Sequence, residues 1–339
     1  MPDREISRVH SSNGNVFKNE GVTVVVPVLN ESLNIRECLQ SILDQDYPSI
    51  VEILIVDGGS TDDTLDIVYE LQQIDGRIEI LHNPRRIQAS ALNVALDVAK
   101  GSFLARVDGH CVLDPNYIST AVDTFSKCLA SAVGGAINPV GKNWKGKGIA
   151  MAMKSKLGSG AASFHRPEEP QGYVDTVYMG VFDIEDLRKV GGYDEEFPVN
   201  EDAELAFRLG ELNGIWYNPE IKSIYYPRET FKALGIQYFR YGRFRAKTVL
   251  KHPNSLSPRQ LAAPVLIIAL MSKRRKYVAL AYMSLVGSRS LSEAIESPTG
   301  GIGFLFSVPI MHFCWGFGFL YGVVIESVLS ILPGRRKLQ

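Results

Sequence analysis

The chain has 339 residues, 45% hydrophobic and 22% charged, with a formal net charge of −1. That supplies core for one large or two small domains, and the near-zero balance gives no footprint for nucleic acid, so no nucleic-acid partner is expected. The charge is unevenly spread: from Lys222 to Lys276 there are thirteen Lys or Arg and a single acid, Glu229. A basic zone beside apolar segments points to an anionic membrane surface or a polyphosphate ligand. The four cysteines, Cys38, Cys111, Cys128 and Cys314, are scattered without a CxxC pair and read as reduced core residues.

Residues 1–21 are polar and aperiodic, a flexible lead with no apolar h-region of a secretory signal. Val22 to Val28 is a β-branched run, hence a buried strand. Asn30, Glu31 and Ser32 offer caps to a helix whose Ile35, Leu39, Ile42 and Leu43 recur at helical spacing. Val51 to Val56 is a second strand ending in Asp57-Gly-Gly-Ser-Thr-Asp-Asp63, with Ser60 or Thr61 as the next helix cap. Arg77 to Leu81 is a third strand and Gln88 to Ala99 a helix stopped by Gly101. The apolar run from Phe103 to Val107 is a fourth strand, ending in Asp108-Gly109-His110. Strand and helix alternating in this way imply a parallel sheet with right-handed crossovers.

Asp114-Pro115 opens another helix, and Ser131 to Ile137 returns as a strand. Residues 138–172 are rich in Gly, Lys and Ser, a loop carrying one helix from about Gly146 to Leu157. Val174 to Phe182 reads as a strand, Gly191 to Phe197 as a turn cluster, and Asn200-Glu201-Asp202 caps a helix with Leu205, Leu209 and Leu212 on one stripe. Ile215 to Tyr217 and Lys222 to Tyr226 read as two short strands. Leu261 to Met271 and Tyr277 to Val286 are apolar but too short to span a bilayer, which needs about 20 residues. Ile302 to Val324 is uncharged and long enough, and is the transmembrane candidate. Arg335-Arg-Lys337 prefers the cytoplasmic side, and a cytoplasmic domain ahead of the apolar segments would then need an even number of spans. Either Tyr277 onward forms a second span, or Ile302 to Val324 dips in and returns while Leu261 to Val286 lies in the interface.

Asp108 and His110 stand two residues apart, and in an extended chain such residues face one side. At the carboxyl end of a parallel strand, that side opens on the ligand crevice. A carboxylate and an imidazole there suit a divalent ion that completes its shell with diphosphate and water. The alternative is a plain Asp-Gly turn.

Five motifs in order carry a resemblance: Val-Pro-Val-Leu-Asn-Glu31, Val-Asp57-Gly-Gly-Ser-Thr-Asp62, Arg106-Val-Asp108-Gly-His110, Gly191-Gly-Tyr-Asp194 and Glu201-Asp202. The chain resembles the family 2 inverting glycosyltransferases of the GT-A fold, and more narrowly the succinoglycan-type, ExoA-like exopolysaccharide glucosyltransferases. The resemblance implies a Rossmann-like, mostly parallel sheet flanked by helices: a catalytic domain over 22–250 and a membrane-associated helical region over 251–339. It implies a nucleotide site at Pro27, Val28, Glu31, Asp57 and Asp108, with Asp57 accepting the uracil imide N–H, or else only capping its turn. Asp108 matches the first acid of the family's metal motif. His110 stands where the second acid is expected, which favours Mn²⁺ over Mg²⁺. Glu201-Asp202 matches the catalytic pair, with Asp202 as the base for the acceptor hydroxyl and Glu201 orienting the acceptor, or else as plain helix caps. Gln237-Tyr-Phe-Arg240-Tyr241 matches the family's QxxRW motif with Tyr for Trp, so Arg240 or Arg243 would contact the diphosphate or the acceptor, or line a basic membrane-facing helix.

The function these implications describe is transfer of a hexose from a UDP-sugar to a lipid-linked saccharide at the cytoplasmic face of the cell inner membrane. A polyprenyl-phosphate acceptor, or a non-catalytic nucleotide-sugar-binding membrane subunit, are the alternatives. Donor sugar, linkage, acceptor and oligomeric state are not fixed by a fold and a metal site.

Overall fold

The computed structural model describes residues 20–160 and 162–331, so most of the lead at 1–21 and the tail at 334–339 lie outside the described residues. The chain opens with β1 (Val22–Val28), α1 (Ile35–Leu43), β2 (Ile50–Asp57), α2 (Thr64–Gln72), β3 (Ile78–His82), α3 (Gln88–Val98) and β4 (Phe103–Arg106). Next come β5 (Cys111–Leu113), α4 (Tyr117–Phe125), β6 (Ala132–Pro139), α5 (Trp144–Lys154), α6 (Lys156–Ser159), β7 (Gly172–Val174), β8 (Tyr178–Asp183) and α7 (Ile184–Lys189). The remainder is α8 (Glu201–Gly210), β9 (Ile215–Tyr225), α9 (Phe231–Lys251), α10 (Ala262–Leu270), α11 (Arg275–Glu296) and α12 (Pro298–Ile331).

Among the described residues the strands form one sheet, ordered β3-β2-β1-β4-β8-β6-β9-β5, with β7 on β9. β3, β2, β1 and β4 run parallel, as the strand-helix alternation requires. β1 and β2 are buried on both faces, which is why they read as unbroken apolar runs. Beyond β4 the pairing turns antiparallel, β8 on β4 and β6 on β8, so the sheet is mixed. Val28 lies beside Asp57 and Val25 beside Arg106 in the register, which sets the carboxyl ends of β1, β2 and β4 in one row.

Several expectations are corrected. The strand expected from 174 to 182 is two: β7 pairs with β9 and β8 with β4 and β6, so the chain changes place in the sheet between them. The two short strands expected from 215 to 226 are one, β9, which continues through Pro219. α2 starts at Thr64, later than a cap at Ser60 or Thr61 would give. The segment Asn30 to Ser32 gives α1 no side-chain cap. α1 begins after Asn34, and the expected caps are spent elsewhere, as described below.

The chain divides into two compact units, 1–138 with 166–224, and 139–165 with 225–339. The expected boundary at residue 250 thus falls inside the second unit, since α9 and the excursion carrying α5 group with the C-terminal helices. That unit has its own core: Ile149 and Ala152 of α5, Leu234 of α9, Val286 of α11, and Phe304, Val308 and Met311 of α12. By length and composition α12 is a candidate membrane span, and about a third of its most apolar stretch is buried.

Within the sheet, β6 and β9 touch backbone to backbone at Gly135. A Cβ there would sit 1.8 Å from the carbonyl oxygen of Ile221. Gly135→Ala forces these strands apart and should cost about 3 kcal/mol, the upper range for overpacking. Urea unfolding of the purified variant checks this, and an unchanged midpoint would contradict the close approach.

Candidate active site

Loop chemistry builds the row of strand ends into a rim. The segment after β1 and the loop after β2 are tied together by side chains accepting from backbone. Asn30 N–H donates to Ser60 Oγ at 3.0 Å, Glu31 N–H to Thr64 Oγ1 at 2.8 Å and Ser32 N–H to Asp62 Oδ2 at 3.1 Å. Asn30 Oδ1 accepts from Thr61 N–H at 2.8 Å. Asn30 adopts φ 58°, a left-handed conformation that Asn tolerates better than most residues. Asp57 is buried and caps its own turn, accepting from Gly59 N–H at 2.8 Å and from Ser60 N–H and Oγ at 3.0 and 2.6 Å. A carboxylate has about four lone-pair positions, so these bonds hold Asp57 without exhausting it. The Val28 carbonyl accepts from Gly58 N–H at 2.9 Å, and Pro27 precedes it on β1.

Asp108 and His110 do not share an extended face. β4 ends at Arg106, and Asp108 O accepts from Cys111 N–H at 2.9 Å, so 108–111 is a tight turn. The Asp108 carboxylate turns inward. Its Oδ1 accepts from Gln88 Nε2 at 2.9 Å and Arg106 Nε at 3.0 Å, and its Oδ2 from the Tyr178 hydroxyl at 2.8 Å. His110 goes the other way and places Nδ1 3.1 Å from Glu31 Oε1. The loop closes this tightly because residue 109 is glycine: a Cβ there would meet Glu31 Cγ at 3.2 Å and Val28 Cγ1 at 3.3 Å.

Arg106 joins the two acidic motifs. It is buried, bonded through Nε to Asp108 and 3.3 Å through Nη1 from Glu201 Oε1. Burial would raise the Asp108 pKa, but the charge of Arg106, helped by His110, outweighs it and holds the carboxyl below its ordinary value. Glu201 goes the opposite way. Burial first, then the charge of Asp202, raises it from 4.5 to about 7 against the pull of Arg106. Glu201 is 4% exposed at the first turn of α8, whereas Asp202 is half-buried and accepts from Ala203 N–H at 2.7 Å. The preceding Asn200 has φ 68° and gives no side-chain cap. Tyr193, from the glycine turn, lies buried beside Arg106, and Asn93 of α3 pins that turn by bonding both its N–H and its carbonyl at 2.8 Å.

The structure therefore brings Pro27, Val28, Glu31 and Asp57 to one rim. It links Glu31 to His110, and Asp108 through Arg106 to Glu201 and Asp202. Arg240 and Arg243 are on α9 of the second unit, where Arg243 lies over the rings of Phe244 and Tyr321. Arg106, Gln88 and Tyr178 are missed as functional residues by sequence reasoning. Only Arg106 carries a signal, a lone charge inside an apolar run. The four non-glycine residues with positive φ among the described residues are Asn30, Arg86, Met179 and Asn200, each in a segment that carries these contacts or adjoins one. Such strain gathers at functional sites.

A divalent ion can be tested against this donor set. Among the described residues no three His, Cys, Asp or Glu side chains could hold an ion by themselves. Asp108 is kept ionised and His110 is held through Nδ1 by a carboxylate, as metal-binding imidazoles usually are, but the Asp108 oxygens are taken by Gln88, Arg106 and Tyr178 while His110 is bonded to Glu31, so in this arrangement the two do not share one ion.

Comparison with known proteins extends this. The family profile of Glycosyl transferase family 2 matches residues 23–182. The succinoglycan biosynthesis protein ExoA of Rhizobium meliloti is 33% identical over 309 residues, covering 87% of this chain and 93% of ExoA. A dolichyl N-acetyl-alpha-D-glucosaminyl phosphate 3-beta-D-2,3-diacetamido-2,3-dideoxy-beta-D-glucuronosyltransferase of Methanococcus voltae is 30% identical over 240 residues, 68% of this chain and 74% of that one. The solved mannosyltransferase PcManGT of Pyrobaculum calidifontis, in complex with GDP-Man and Mn²⁺, superposes with a TM-score of 0.61 at 19% identity, over 93% of this chain and 88% of its own, and shares the fold.

The raised pKa of Glu201 has a signed consequence. Between about pH 4.5 and 7 the folded state keeps a proton that the unfolded state has released, so this group's contribution to stability is present at acid pH and is lost as pH rises through about 7. Relative to Glu201→Gln, which does not titrate, the native protein should lose about 3 kcal/mol over that window. Denaturant titrations of both proteins at pH 4.5, 6 and 8 measure it, and a constant difference would contradict the shift.

Proposed function

Because the chain belongs to glycosyl transferase family 2, we propose that it moves a hexose with inversion from a UDP-sugar to a lipid-linked saccharide, in the making of an extracellular or cell-surface polysaccharide. The family makes it a glycosyltransferase. The finer reading rests on one observation: Arg106 ties the acid at the donor end, Asp108, to the acid pair at the acceptor end, Glu201-Asp202. A donor diphosphate and an acceptor hydroxyl are held a fixed distance apart when their contacts share one buried cation, and fixed distance is the main requirement of group transfer.

Each side chain has a role in this reading. Asp57, stiffened by its own turn, accepts the uracil imide N–H. Glu31 orients His110. Asp108 and His110 would hold Mn²⁺ in preference to Mg²⁺ once His110 turns from Glu31 toward the donor, and such an ion would neutralise charge on the leaving diphosphate. Asp202 takes the acceptor proton, being the exposed member of its pair, and Glu201 is too buried to meet an acceptor. A carboxylate placed as a general base has use only if the acceptor is a hydroxyl. A polyprenyl phosphate is already a nucleophile and needs no base, so the saccharide acceptor is favoured. The relative whose name includes a dolichyl-linked sugar supports a lipid-linked one. A nucleotide-sugar donor and a basic zone beside apolar helices support a reaction at the cytoplasmic face of the inner membrane.

Calorimetry of the purified chain should give UDP binding that needs a divalent ion, stronger with Mn²⁺ than Mg²⁺ and stronger than GDP binding. Asp57→Ala should cost UDP more than GDP. Undiminished UDP affinity in EDTA would remove the ion, and a preference for GDP would remove the uracil contact.

Asp202→Asn keeps the position of the helix acid without its charge. Folding and UDP affinity should hold, while kcat and kcat/KM fall together by roughly 10²- to 10⁴-fold, the usual worth of a general base. Near-normal transfer by the folded variant would exclude Asp202 as the base.

A further inference from the structure

Among the described residues α12 is the helix both long and apolar enough to cross a membrane, but it does not stand alone. α9 runs beside it in the same direction, more extensively packed on it than any other helix, and glycines let the two backbones meet. A Cβ on Gly242 would fall 2.0 Å from Trp315 O, one on Gly318 2.1 Å from Phe239 O, and one on Gly322 2.5 Å from Arg243 O. Phe231 at the start of α9 packs on Phe306. The stretch of α12 from about 306 to 322 is therefore lined by α9, and α9 carries Lys232, Arg240, Arg243, Arg245, Lys247 and Lys251 with no acid. If α12 crossed the bilayer, α9 would go with it. Each Arg or Lys near mid-membrane lowers insertion by about a hundredfold on the translocon scale.

α11 sets a second limit. It returns antiparallel on α12, with Tyr282 against His312 and Phe313. Its uncharged run, 277–288, lies between Lys276 and Arg289. Twelve residues at about 1.5 Å each cover roughly 18 Å, against about 30 Å of hydrocarbon. The run is too short to cross, so α11 and α12 do not form a pair of spans. The outer side of α10 and α11 is apolar and exposed: Ile268 is 57% exposed, Met271 82%, Tyr277 78% and Leu280 68%. At the turn between them stand Lys273, Arg274, Arg275 and Lys276, all exposed.

We infer that the helical unit is monotopic: α12 is its core helix and lies in the plane of the membrane, α11 lies alongside it, the exposed apolar sides of α10 and α11 dip into one leaflet, and Lys273 to Lys276 bind anionic lipid headgroups. The combination of exposed apolar side chains with a purely cationic turn selects a negatively charged bilayer over a protein partner, because each Lys or Arg near such a surface adds about fivefold to binding. This deepens the membrane reading above and rests on it.

Thr299→Cys and Val328→Cys, near the two ends of α12, test the geometry in full-length protein with Cys128 and Cys314 replaced by Ala. A membrane-impermeant maleimide should leave both sites unlabelled in sealed right-side-out vesicles and label both in inverted ones. Labelling of either end from outside would overturn the in-plane assignment. Cosedimentation with vesicles tests the docking face. Binding should be tens-fold stronger with 30% phosphatidylglycerol than with phosphatidylcholine alone, in the range the four turn cations allow. It should fall at least tenfold in the double variant Met271→Glu, Leu280→Glu, both changes being on exposed positions that leave the core intact. Unchanged binding by that variant would overturn the assigned face. A native chain that binds neither vesicle would instead refute membrane association itself.

Discussion

The buried guanidinium of Arg106 is the constraint on which the sheet unit depends. An isolated buried cation is costly, and a buried ion pair is not by itself a source of stability. Arg106 is tolerated because Asp108 and Glu201 face it from two different elements, the turn after β4 and the start of α8. The same cation acts unequally on them. It keeps Asp108 ionised, while Glu201, pressed by burial and by Asp202, rises to about 7. Two acids of ordinary chemistry are thereby separated into one held ionised and one with a raised affinity for a proton.

Around this pair the sheet supplies position and the loops supply orientation. Parallel strands β1, β2 and β4 end in one row, and each ends in a short turn whose polar groups bind the neighbouring turn. Glu31 shows the economy of the arrangement. Its N–H goes to Thr64 and its carboxylate to His110, so one residue couples the loop after β2 to the turn after β4. Met179, strained at φ 56°, brings its sulfur within 3.4 Å of Asp108 N–H from the far side.

What the sequence made legible follows from where the information lies. β1, β2 and β4 are readable because burial on both faces demands continuous apolar residues. Their parallel order follows from the helices between them. The motif residues are readable as chemistry but not as contacts. Asn30 to Ser32 look like caps because capping residues and loop-bridging residues are the same types, and only the fold decides which backbone they meet. Asp108 and His110 look like neighbours on one face because a strand was extrapolated two residues too far. Arg106 could be flagged as a charge in a core strand, but its partner Glu201 is ninety-five residues away and no local pattern announces it. β9 was divided in two because Pro219 breaks the pattern without breaking the strand. Helix α12 shows the limit of composition: length and apolarity describe a span and a core helix equally, and only its neighbour α9 separates them.

The excursion that carries α5 has a temporal consequence. Ile149 and Ala152 are covered by Leu234, Phe304, Val308 and Met311, residues made roughly 80 to 160 positions later. At about 5–20 residues per second, α5 emerges from the ribosome well before its cover, roughly ten to thirty seconds for α12. The sheet unit can close as soon as β9 is made, but the core that covers α5 waits for α9 and α12. A nascent chain thus carries α5 with its apolar face uncovered through nearly half of its synthesis, attached for the later part to a unit that is already complete. Such a chain is suited to capture by a membrane or a chaperone before it is finished, so the surface on which it works and the surface on which it completes folding can be the same.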